Sequence, residues 1–145
     1  MTDKIDALKT LHTRLIDSHD GYEKAKEDAA SSSHKQLFDE MADRRSRNHA
    51  QVHQFLVAKG VEPDEGGSFL ASAHRTLVDL RSVFSKGDDA VLAEVVRGEE
   101  NLLEAYDEAI KVCGGNDPEY SFLTEQYTEL KSKVDQLKGQ QKTAA

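Results

Sequence analysis

Reading every third and fourth residue from Ile5 gives Ile5, Leu8, His12, Leu15, His19 and Tyr22. This spacing predicts an amphipathic helix from about Asp3 to Ala30, with Thr2 or Asp3 capping its first turn. The run Ser31-Ser32-Ser33 breaks the pattern, and one of these serines is expected to cap a second helix. Its stripe is Phe38, Met41, Arg45, Asn48, Val52 and Phe55, and it stops at Gly60. After a turn at Lys86-Gly87-Asp88, with Asp88 or Asp89 as cap, a third helix carries Leu92, Val95, Glu99, Leu102, Tyr106 and Ala109. It runs to about Cys113 and ends at Gly114-Gly115. Asp117-Pro118-Glu119 then reads as a helix start, with a cap, a proline in first position and an acid in the first turn. The fourth helix carries Tyr120, Leu123, Tyr127, Leu130, Val134 and Leu137, and the polar stretch after Gly139 is expected to fray.

No alternating strand pattern occurs, so the chain reads as all-α. The connection between the second and third helices sets the topology. About 28 residues intervene: a loop at Val61–Gly67, then a helix from Ser68 bearing Phe69, Leu70, Ala73, Leu77, Leu80, Val83 and Phe84. A helix of roughly 18 residues spans about 27 Å, the length of a bundle. It can return the chain to the opposite end. One long crossover in a four-helix bundle is the ferritin-like connectivity. Residues 1–145 are therefore expected to form a single such domain.

The first three stripes share a feature. Each is apolar except near its middle, where His12 and His19, Arg45 and Asn48, and Glu99 intervene. Burying such groups is costly unless they are paired or hydrogen-bonded. Several readings follow. Glu99 and Arg45 can form a buried ion pair, with His12, His19, Asn48 and Tyr127 completing a network that fixes register. The seam can be out of phase by one residue, turning some of these groups to solvent. His12 and Glu99 can hold a single metal together with His49 or His53. An acid–base catalytic role is the fourth. His49 and His53 stand four apart on one helix face, as a zinc or nickel pair requires, but surface histidines share that spacing. His34 and His74 are isolated.

Charge narrows the partners. The chain is 32% charged with a formal net charge of -8, which disfavours nucleic acid and anionic membranes, because both need a basic face. The basic run Asp43-Arg44-Arg45-Ser46-Arg47 is spread around a helix and reads as a solvated face. A single cysteine, Cys113, rules out an intrachain disulfide and reads as a small buried hydrophobe. The start lacks a signal-peptide core and no run approaches a membrane span, so a cytoplasmic location is expected. No phosphate-binding glycine loop, nucleophile elbow or triad spacing occurs.

Several motifs together resemble a bacterial family of ferritin-like four-helix-bundle proteins of unknown function, distantly rubrerythrin-like. They are Asp20-Gly21-Tyr22, Leu37-Phe38-Asp39-Glu40-Met41-Ala42, Gly67-Ser68 followed by His74-Arg75, and Asp79-Leu80-Arg81-Ser82. Gly87-Asp88-Asp89, Arg97-Gly98-Glu99-Glu100 and Ala105-Tyr106-Asp107-Glu108-Ala109 complete the set, from about Ile5 to Leu137. The resemblance implies the bundle and its helical crossover, and no agreed activity. Rubrerythrin-like relatives bind two irons through carboxylates and Glu-x-x-His pairs. Here Arg45 and Asn48 stand where those carry Glu and His, His12 falls near the first-helix glutamate, and only Glu99 or Glu100 keeps a carboxylate.

The expectation is a non-catalytic structural or stress-associated module with a degenerate di-iron centre, no required cofactor and a homodimer through helix faces. One alternative is an altered site for iron or another divalent metal. The other is a helix-binding regulator whose groove would use Phe69, Leu70 and Phe84.

Overall fold

A computed structural model describes residues 4–62 and 82–144. These residues hold four long helices and no strand: α1 (Lys4–Asp28), α2 (Ser32–Ala58), α3 (Asp88–Lys111) and α4 (Pro118–Ala144). Most of the expected crossover helix, including Phe69, Leu70 and His74, lies outside them. Residues 82–85 are helical, and Val83 and Phe84 pack against the core. Among the described residues no helix is long and apolar enough to cross a membrane.

Local chemistry sets the helix ends. Ser31 is the N-cap of α2, its Oγ accepting from the His34 amide at 3.4 Å. At the other end Gly60 takes φ 76°, and its amide reaches the Val57 carbonyl while Val61 reaches Leu56. These two bonds form a Schellman motif, sealed by buried Leu56 and core-packed Val61. The start of α3 differs from expectation. Gly87, at φ 103°, is the cap residue, with no side-chain cap bond, and Asp88 and Asp89 sit in the first turn, where their charge favours the helix dipole. Asp117, ahead of Pro118, turns its carboxylate back to the Gly114 amide at 2.8 Å. The fourth helix runs through Gly139 to Ala144, past the point where fraying was expected.

Side-chain pairings give the helix directions. Lys26 meets Asp39 at 3.1 Å and His12 meets His53 at 3.2 Å, so α1 and α2 are antiparallel. Lys4 reaches Glu119 at 2.6 Å, just beyond α3, which makes α1 and α3 antiparallel as well. His34 meets Asp88 at 3.1 Å and Arg45 meets Glu99 at 3.3 Å, so α2 and α3 are parallel. Glu100 with Lys138 at 2.9 Å and Tyr106 with Gln126 at 2.6 Å make α3 and α4 antiparallel. The order is up-down-down-up. Backbones pack most closely in α1–α2, α3–α4 and α1–α3, leaving α2 and α3 on a diagonal. The end of α2 and the start of α3 therefore lie at opposite ends of the bundle.

The core contains Leu8, Leu11 and Leu15 from α1, and Phe38, Met41, Val52 and Leu56 from α2. It continues with Val95, Leu102 and Tyr106 from α3, and Leu123, Leu130, Val134 and Leu137 from α4. The fourth helix departs from the expected stripe. Tyr120 is exposed and Tyr127 half-buried, while Glu119, Gln126 and Lys133 point inward. These three recur every seven residues beside Leu123, Leu130 and Leu137, which is a heptad with one apolar and one polar column. Each polar member has a partner on another helix: Lys4, Tyr106 and Glu40 respectively.

Candidate functional site

Two layers of polar groups cross the interior. The first is a histidine cluster. Leu8, His12 and Leu15 share the inner face of α1, so His12 is fully buried. Antiparallel packing brings α2 across it, where His49 and His53 present half-buried rings one turn apart. His12 Nε2 and His53 Nδ1 are 3.2 Å apart, one ring donating to the other according to tautomer. The ring of His12 lies 4.4 Å from that of His49 and 5.4 Å from that of His53. One ligand nitrogen from each of the three lies within 4.8 Å of the others.

That spacing is close to a metal site. Zinc bonded to imidazole at about 2.05 Å in tetrahedral geometry separates its ligand nitrogens by about 3.3 Å. The His12–His53 contact already matches this edge. His12, His49 and His53 would hold a divalent ion through ring nitrogens alone, and such ligands would not offset its charge. Glu99, a candidate ligand by sequence, does not join this cluster.

Glu99 belongs to the second layer. Arg45 Nη1 donates to Glu99 Oε2 at 3.3 Å, and the two side chains are 2% and 1% exposed. The contact is single rather than bidentate, because Arg45 Nε and Glu99 Oε1 make no close hydrogen bond. Burial pushes the Glu99 carboxyl above its usual range, against the pull of Arg45 and of a looser interaction with the Tyr22 hydroxyl. Burial likewise holds Tyr22 protonated, with Glu99 reinforcing it. Farther along, Tyr106 donates to Gln126 Oε1 at 2.6 Å, and Gln126 Nε2 donates to Gln51 on α2. Burial raises the Tyr106 phenol as well.

A carboxylate-bridged di-iron centre does not fit this layer. It requires several acids around two cations, and here a buried guanidinium faces Glu99 from the diagonal helix while Tyr22 approaches from α1.

The other sequence candidates stand apart from both layers. His19 is about a third exposed and bonds Asp20 at 3.2 Å. Asn48 is half-buried and faces a wide polar groove between α2 and α4, and Tyr127 packs on the edge of the core. Phe84, a partner-facing residue in the regulator reading, packs instead against Phe38 with ring centres 6.0 Å apart. Tyr22, Gln51 and Gln126 were not candidates. The heptad spacing of Gln126 with Glu119 and Lys133 is the signal that marks it.

A second cluster closes the end of the bundle. Glu119 is fully buried, salt-bridged to Lys4 at 2.6 Å, with Cys113 Sγ 3.9 Å away. Burial first, and then the Glu119 charge, push the Cys113 thiol up to about 11. A thiol so held is neutral near pH 7, unlike a nucleophile, which must be a thiolate. Cys113, Asp117 and Glu119 do place one ligand atom each within 4.8 Å of one another, as the three histidines do.

Neither the curated proteins nor the solved structures include a match to this chain. A family model does match residues 3–112, which take in α1 to α3 and so His12, His49, His53, Arg45 and Glu99. That span is most of the chain and carries both polar layers, and the chain belongs to the family described as Domain of unknown function (DUF2383).

Proposed function

We propose that this chain is a ferritin-like bundle that holds one divalent transition-metal ion on three histidines and performs no di-iron chemistry. The helix directions support the ferritin-like part. Two antiparallel hairpins with α2 and α3 parallel across a diagonal match a four-helix bundle with one long crossover. The metal reading is carried by one observation: His12, His49 and His53 place ligand nitrogens within 4.8 Å of one another. Imidazole suits zinc, nickel, copper and ferrous iron, and an all-imidazole set without thiolate or carboxylate makes zinc the first choice. The test is elemental analysis of protein purified from metal-replete cells, on a sizing column that also reports mass. The expected result is one ion per chain, lost in His12→Ala while the helical signal is retained. Two irons per chain would contradict it.

A second reading is favoured by the buried Arg45–Glu99 pair. In it the bundle is a structural or stress-associated interaction module, a homodimer through helix faces, and the histidines only pack. A chain that takes up no zinc when supplied with it, and that elutes as a dimer, supports this second reading.

A further inference from the structure

The seam between α1 and α3 contains a cavity of about 330 Å³ that is open to solvent on one side, at exposed Arg97 and Gly98. Ala25, Phe38, Val91, Val95 and Leu102 give it apolar walls, Tyr22 and Glu99 also line it, and Arg14, Asp17, Glu94 and Arg97 add two charges of each sign. This volume falls at the lower end of the range of small-molecule sites.

Two further observations point to an occupant. Gly21 in α1 and Gly98 in α3 both line the cavity, and both lie in helix interiors, where glycine is the weakest former after proline. Close helix packing would explain them, but a Cβ built at either meets nothing within 4 Å. Gly98 is exposed and Gly21 half-buried, so the missing side chains relieve no clash and keep the cavity open on this side. The second observation is Glu99. It is 1% exposed, and Oε1 has no partner at hydrogen-bonding geometry, its other oxygen being held by Arg45. The Tyr22 hydroxyl, which lines the same cavity, interacts with this carboxyl only loosely. A buried acceptor so weakly satisfied is costly, and a closer donor on a ligand would reduce that cost.

Charge selects the ligand. Arg45 already balances Glu99, and Arg14 and Arg97 offset Asp17 and Glu94 around the same pocket, so a cation or anion entering it would leave a net charge. We propose that this cavity binds a small, neutral, mainly apolar molecule that carries one hydroxyl or N–H group, which donates to Glu99 Oε1. The site is separate from the histidine cluster, and its failure would leave the metal reading untouched.

The chain contains no tryptophan, so indole can serve as a fluorescent probe with little interference. The metal-saturated and metal-free proteins are each titrated with indole and with phenol, and benzene serves as the donor-free control. Saturable binding is expected, at least several-fold weaker for benzene. Gly21→Leu fills the cavity from a helix position and leaves Glu99 in place. It is expected to weaken indole binding at least tenfold with no loss of thermal stability. Absence of saturable binding by indole and phenol, equal binding of benzene, or unchanged binding in folded Gly21→Leu would each overturn the proposal.

Discussion

Arg45 and Glu99 join the two parallel helices across the bundle's diagonal, their charged atoms 3.3 Å apart and both side chains almost fully buried. Breaking such a pair on one side leaves the other charge unpaired in the interior. Arg45→Met and Glu99→Gln are each expected to destabilise by about 3–5 kcal/mol. Replacing both by apolar residues of similar size, Arg45→Met with Glu99→Leu, is expected to be near neutral or stabilising by about 1–4 kcal/mol. Urea unfolding of these three variants beside the wild type measures this. Equal destabilisation in single and double variants would mean the pair adds net stability.

The same carboxylate gives the pH dependence a sign. Its folded pKa lies above the ordinary 4.5, so between the two values the folded chain binds more proton than the unfolded one. This group therefore costs stability above its folded pKa, and that cost is relieved as pH falls toward 4.5. The melting temperature of the wild type is expected to gain on that of Glu99→Gln over this descent. A wild type that loses ground to the variant would show that Glu99 is held below its usual range.

The Tyr106–Gln126–Gln51 chain is a separate test of how α4 is seated. Tyr106→Phe removes the donor and leaves Gln126 Oε1 buried without it. The expected cost is about 1–3 kcal/mol. Thermal unfolding reads it as a drop of a few degrees in Tm. No change would place Gln126 outside the core.

Cys113 is predicted to be unreactive. With its thiol pushed up to about 11, almost none is thiolate at pH 8, so labelling by a disulfide reagent is expected to be far slower than for a free thiol. Glu119→Gln removes the charge that helps raise it and is expected to speed labelling. Rapid labelling of the wild type would contradict the burial of this end of the bundle.

Helix existence and the ends of α2 were legible because caps and breakers act locally: Ser31 and Gly60 need no tertiary information. In α4 the spacing places Leu123, Leu130, Val134 and Leu137 inside, as expected, but Tyr120 is exposed and Tyr127 half-buried. Interior position there follows a seven-residue register shared with Glu119, Gln126 and Lys133, whose burial depends on partners from other helices. The site was legible only in part for the same reason. The His49–His53 spacing is visible in one helix, but pairing with His12 depends on how α1 slides along α2. An ion pair of Glu99 with Arg45 and a metal site joining Glu99 to His12 were both open readings of the sequence, because only the parallel placement of α2 and α3 sets Glu99 beside Arg45.

The most direct test of the central claim is a cobalt titration of the metal-free protein, followed by its visible absorption. Cobalt(II) in a four-coordinate imidazole site gives intense bands that octahedral aqueous ion lacks. The account predicts that they saturate at one ion per chain, are displaced by zinc, and vanish in His12→Ala and His53→Ala. Absence of such bands, or their persistence in both variants, would contradict it.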